Sequence, residues 1–123
     1  MLHAADLVAF VGATDLDRAR AFYAEKLGLP VAEATSAVLV LDCHGTALRV
    51  TRADTVAHAG YTVLGWTVDD LRETLEDLKL SSVAARQYDR LDQSELGIWR
   101  SPAGARVAWI NDPDGNILSL TQR

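Results

Sequence analysis

Apolar residues along the chain fall into short runs, and the spacing within them changes from one run to the next. Residues 7–13 are almost wholly apolar and too few for an ordinary helix, so they read as a strand. Leu16, Ala19, Tyr23 and Leu27 then recur at helical spacing. A helix is expected over 15–27, with Thr14 as N-cap, Asp17 three residues on as its capping partner, and Gly28 and Pro30 as the stop. Residues 38–41 and 46–51 run or alternate apolar around a glycine turn, which predicts a hairpin.

The same succession is written a second time. The stretch from Val8 to Leu16 is echoed from Val63 to Leu71, 55 residues on, and the pattern D-x-x-G-x-x-L-x-[VL]-T that begins at Asp42 recurs 70 residues on at Asp112. The larger second offset implies an insertion in the second copy, expected around 88–103. Leu71, Leu75 and Leu78 form the second helical stripe, behind Asp69 and Asp70 and ending near 81–82 without a glycine. Residues 107–111 and 117–121 flank Asp112-Pro113-Asp114-Gly115, a three-residue hairpin loop with a bulge. Pairing Asp112 with Asn116 sets Trp109 opposite Ser119 and Ile110 opposite Leu118. Alternation then sends Ala108, Ile110, Leu118 and Leu120 toward the helix, and Val107, Trp109, Asn111, Ile117 and Ser119 to the other face. Trp66 falls on the helix side.

One helix covers only one face of a small sheet, so a half of about 60 residues leaves its other sheet face bare. The expected fold class is α+β: two tandem βαβββ modules, one main helix in each, forming a pseudo-twofold two-sheet cleft. The expected organisation is a single domain over 1–123, with module one at 1–53, a linker at 54–60 and module two at 61–123.

Composition narrows the function. The chain has 123 residues, 49% of them hydrophobic, enough for a core without metal or disulfide staples. Twelve Lys and Arg stand against 17 Asp and Glu, a formal charge of −5 with no basic run. Nucleic acid and anionic membrane are therefore not expected as partners. One cysteine, Cys43, cannot make an intrachain disulfide. The run at 7–13 has neither the length of a membrane span nor the basic flank of a signal, so a cytoplasmic location is expected.

The helix Asp15-Leu16-Asp17-Arg18-Ala19, continuing through Phe22-Tyr23 to Leu27-Gly28-Leu29, and the hairpin Asp112-Pro113-Asp114-Gly115-Asn116 carry a resemblance. They are similar to the D-L-x-R-A-x-x-F-Y-x-x-x-L-G-L helix and the D-P-D-G-N hairpin of the vicinal oxygen chelate superfamily. That superfamily includes glyoxalase I, extradiol dioxygenases, and fosfomycin- and bleomycin-resistance proteins. Its enzymes hold a divalent metal on four strands, usually through His, Glu or Gln. The resemblance places the four metal positions at Val8, Arg49, Val63 and Ser119. Two valines, a serine and a guanidinium are no ligand set for such an ion, so neither a metal nor any other cofactor is expected.

Strand parity puts Phe10, Leu39, Leu41, Ala47, Thr51, Tyr61, Gly65, Thr67, Val107, Trp109, Asn111 and Ile117 on the face of those four positions. An apolar, aromatic surface with few polar groups suits a small-molecule pocket. Phe10, Arg49, Tyr61, Trp99, Trp109, Asn111 and Ser119 are the candidate ligand-binding residues. Arg49 needs an offset for its charge, either an acidic residue such as Asp6 or Asp42 or a bound carboxylate or carbonyl. Phe10 and Trp109 serve core packing or ligand stacking. Trp99, in the insertion, lids the cleft or packs in a dimer contact. His3, His44 and His58 share no chelating spacing, and Cys43 beside His44 lacks an orienting third group.

Three functions fit these residues. The first is a metal-independent binding protein for an aromatic or apolar small molecule, resembling the bleomycin-resistance members and forming a homodimer. The acidic balance would favour a cationic ligand. The second is a metal-independent enzyme of lyase, isomerase or transferase type, with Arg49 as anchor and Tyr61, Ser119 or Asn111 handling protons. The third is a pair of concave faces filled by side chains and serving assembly.

Overall fold

Alternation decides the first strand: in Val8–Ala13 the side chains of Val11 and Ala13 are buried, while Val8 and Phe10 point out. The computed structural model describes residues 1–123 and divides into two compact units, Met1–Ala57 and His58–Arg123. A single turn of 3-10 helix at Leu2–Ala4 precedes β1 (Val8–Ala13). Then come α1 (Leu16–Arg20), β2 (Val31–Ala34), β3 (Val38–Cys43) and β4 (Thr46–Arg52). The second unit repeats the order as β5 (Thr62–Thr67), α2 (Leu71–Leu80), β6 (Trp99–Arg100), β7 (Arg106–Asn111) and β8 (Ile117–Gln122). Its sheet runs β5-β8-β7-β6, matching β1-β4-β3-β2 in the first. In each sheet the strand before the helix lies parallel to the last strand of its unit, and the other pairs are antiparallel. The chain is thus α+β, with two βαβββ modules and one main helix in each. No helix is long and apolar enough to cross a membrane.

The first helix differs from expectation at its start and in its interior. Asp15, not Thr14, is the N-cap: its side chain accepts from Arg18 N at 3.1 Å, and its carbonyl accepts from Ala19 N at 3.0 Å. Thr14 instead accepts from the Arg18 guanidinium at 3.1 Å. After Arg20 the helix widens to π geometry over Ala21–Lys26, with Leu27 N bonded to Phe22 O, five residues back, at 2.9 Å. The wider turn lets two consecutive aromatics, Phe22 and Tyr23, both enter the core, where they meet edge to face at 5.0 Å. Gly28 then takes φ +77° and ends the helix, as its residue type predicts. In α2 Asp70 caps Glu73 N at 3.0 Å. The missing C-terminal glycine is replaced by Ser82, held at φ +62°.

The hairpin β7–β8 has the expected register, with Asn111 opposite Ile117, Ile110 opposite Leu118 and Trp109 opposite Ser119. Asp112 is buried, and its carboxylate accepts from the backbone N–H of Asp114 and Asn116 and from Asn116 Nδ2 at 2.7 Å. The hairpin β3–β4 departs from expectation. Its loop has two residues, His44 and Gly45, at φ 53° and 91°, so Cys43 faces Thr46, where the loop geometry of the Asp112 hairpin would set Asp42 opposite Thr46. A one-residue shift exchanges faces. Leu39 and Leu41 therefore pair with Val50 and Leu48 in the core, and Val38 and Val40 share the side of Arg49. The extra residues of unit two fall between α2 and β6, at 81–98, somewhat earlier than expected.

Candidate functional site

In unit two, Trp99, Val107, Trp109, Asn111, Ile117 and Ser119 share the sheet face opposite the helix, by the pairing of β6, β7 and β8. All are half-buried. Trp109 stands at the centre of an aromatic group: Tyr88 meets it edge to face at 5.6 Å, and Trp99 lies tilted at 5.9 Å. Tyr61, just before β5, is 67% exposed. With Thr62, Tyr88, Arg90, Leu91, Trp109 and Ile117 it lines a hollow of about 170 Å³. Gly65 opens room on the same face, since a Cβ there would collide with the Ser119 hydroxyl.

The inserted segment builds one wall of this hollow. Arg86 N donates to Trp109 O at 2.7 Å and docks the segment on β7. The Arg86 guanidinium lies 5.3 Å from the centre of the Tyr88 ring and donates to Asn111 Oδ1 at 2.7 Å. Asn111 Nδ2 donates to Gly115 O at 3.1 Å, so both ends of that amide are engaged and proton handling does not suit it. Gln93 braces the segment by accepting from Tyr88 N and donating to Arg86 O and Gly97 O. Gly97, at φ +96°, permits the close crossing, because a Cβ there would stand 2.6 Å from Ala85 Cβ. Arg86 and Tyr88 were not singled out from the sequence. The signal available was the insertion itself, which brings an aromatic and two arginines into a segment with no counterpart in the first copy.

In unit one, Phe10 and Arg49 are register partners on neighbouring strands, as are Val8 and Ala47. Phe10 is 63% exposed and Val8 40%. Phe10 therefore serves no core within its own unit. Arg49 is half-buried and pairs with neither Asp6 nor Asp42. Asp42 instead accepts from Gly45 N at 2.8 Å within the turn.

The four positions that hold metal in vicinal oxygen chelate enzymes lie two in each unit: Val8 and Arg49 on β1 and β4, Val63 and Ser119 on β5 and β8. Valine offers no lone pair, and a guanidinium opposes a cation, so these residues do not fit a divalent metal. No group of three or more His, Cys, Asp or Glu elsewhere could hold one.

A larger hollow, about 650 Å³, sits beside the start of α2 and is lined by Asp69, Asp70, Arg72, Glu95, Arg106 and Gln122, among others. It contains no aromatic side chain, and two of its polar groups are already engaged, Asp70 as the cap and Gln122 accepting from Leu71 N at 2.8 Å. The smaller hollow is the better small-molecule candidate despite its size, because three aromatic rings, those of Tyr61, Tyr88 and Trp109, line it and none lines the larger one.

Comparison with known proteins agrees with this architecture. Residues 2–120 match the family model of the Glyoxalase/Bleomycin resistance protein/Dioxygenase superfamily, and the chain belongs to that superfamily. No curated protein sequence matches it significantly. Among solved structures it is similar to a superfamily member from Sphaerobacter thermophilus, with TM-score 0.76, 20% identity and full coverage of both chains. A lactoylglutathione lyase from Agrobacterium tumefaciens gives TM-score 0.74 and 20% identity over 97% of this chain and 93% of that one. A bleomycin resistance determinant encoded on the transposon Tn5 gives TM-score 0.74 and 20% identity over 96% and 97%. Likeness at this identity establishes the fold; the chemistry has to be argued from the residues.

Proposed function

We propose that the chain is a metal-independent binding protein that holds an aromatic or apolar small molecule against its exposed sheet faces, and that it works in the cytoplasm as a homodimer. The carrying observation is the aromatic hollow of Tyr61, Tyr88, Trp109 and Ile117. Proteins of similar fold include both a resistance determinant and a lyase, so the fold does not choose between binding and catalysis. The residues favour binding: the metal positions carry no ligand set, and Asn111 is committed to structure. Tryptophan fluorescence titrated with a panel of aromatic metabolites and natural products, before and after dialysis against a chelator, tests the reading. Saturable quenching by a panel member, unchanged by the chelator, is expected. Quenching that vanishes with the chelator and returns with a divalent metal would overturn the metal-independent part.

One observation favours a second reading. The half-buried Arg49 has no acidic partner within the protein, and a positive group of this kind can anchor a developing negative charge. In that reading the chain is a metal-independent enzyme of lyase, isomerase or transferase type. A substrate found by screening should then lose most of its turnover in Arg49→Ala; retained turnover would discard the role.

A further inference from the structure

We propose that the hollow lined by Tyr61, Tyr88, Trp109 and Ile117 selects a single-ring aromatic carboxylate, with its ring between the aromatic walls and its carboxylate on Arg90. The proposal rests on the small-molecule reading above and names the ligand class for one of its surfaces. Size comes first. At about 170 Å³ the hollow is smaller than the roughly 300–1,000 Å³ of drug-sized pockets, so it suits one ring and a short substituent.

Charge decides the rest. The acidic balance of the chain, −5, points toward a cationic ligand, but the lining points the other way. Arg90 is the one charged side chain among the lining residues, and no carboxylate joins it. A second guanidinium, Arg86, already occupies a face of the Tyr88 ring at 5.3 Å, where an incoming cation would otherwise find its attraction. Arg86 is held there by Asn111. Asp112 is buried with its carboxylate engaged by its own loop, and Asp89 and Asp92, which flank Arg90 and Leu91 in sequence, are exposed and do not line the hollow. A cation entering the hollow would meet two like charges, and an anion would meet a guanidinium able to receive it with paired N–H donors.

Phenylacetate, phenylacetamide and benzyltrimethylammonium share a ring and differ in charge, and each is titrated against the whole protein at low ionic strength by tryptophan fluorescence. Phenylacetate is expected to bind about two- to fivefold more tightly than the amide, the range for an exposed ion pair, with the ammonium weakest. Arg90→Glu is expected to reverse the order while leaving the thermal midpoint unchanged, because Arg90 is exposed and makes no ion pair in the protein. Equal binding of acid and amide, or an order that Arg90→Glu leaves intact, overturns this proposal and leaves the binding reading standing. Absence of binding by all three overturns this proposal, while the wider aromatic panel above decides the binding reading by itself.

Discussion

Gln93 shows how much of the candidate site depends on one side chain with no chemistry of its own. Its amide accepts from Tyr88 N at 2.7 Å and donates to Arg86 O and Gly97 O at 2.9 and 2.7 Å, closing the inserted segment on itself. Tyr88, which meets the Trp109 ring, and Arg86, which lies over the Tyr88 ring, therefore both hang on the same group. Gln93→Ala removes three hydrogen bonds and leaves partly buried backbone groups to find water, a cost of about 1–3 kcal/mol. The expected outcome is a lower urea midpoint, together with a loss of near-ultraviolet circular dichroism as the Tyr88–Trp109 packing at 5.6 Å loosens. An unchanged midpoint would mean that the segment is held by its apolar contacts alone. Gln93 could not have been picked out from the sequence, because a glutamine in an irregular stretch has no periodicity to betray its partners.

At the scale of elements, the two hairpins separate what was legible from what was not. In Asp112-Pro113-Asp114-Gly115, proline at the first turn position and glycine at the third leave one loop geometry, and the register read from them holds at every pair. Asp42-Cys43-His44-Gly45 repeats the Asp and Gly without the proline. Lacking that restraint, the chain makes the tighter two-residue loop, which needs positive φ at both of its positions and matches the twist of the strands. The slip of one residue sent Leu39 and Leu41 inward and brought Val38 and Val40 to the side of Arg49. The turn predicts a measurable gain: histidine at φ 53° is less suited to that conformation than asparagine, whose side chain tolerates it. His44→Asn should stabilise unit one by about 0.5–1 kcal/mol, seen as a rise of a few degrees in thermal midpoint. A fall instead would show that the His44 ring contributes packing that outweighs the backbone strain. The π-helical stretch was equally illegible, since stripes at helical spacing count Tyr23 and pass over its buried neighbour Phe22.

At the scale of the whole molecule, the repeat made the architecture readable, because two copies of one strand-helix-meander pattern carry the same information twice. It also made the bare faces readable. What it could not show is which face the insertion would furnish, since the insertion has no twin to be compared with. The same bare faces argue for assembly. Phe10 and Tyr61 remain 63% and 67% exposed, Val8 and Val63 add apolar area beside them, and β1 and β5 end their respective sheets. Large apolar groups collected on terminal strands are unusual on a chain that stays alone in water, and covering them with a second copy removes both the exposed area and the open strand. Sedimentation velocity at tens of micromolar should therefore give about twice the chain mass, with a thermal midpoint that rises with protein concentration as mass action requires. Phe10→Asp should shift the species toward single chains and abolish the concentration dependence, while leaving far-ultraviolet circular dichroism intact because Phe10 takes no part in the core of its own unit. A wild-type chain that sediments alone at that concentration would discard the homodimer.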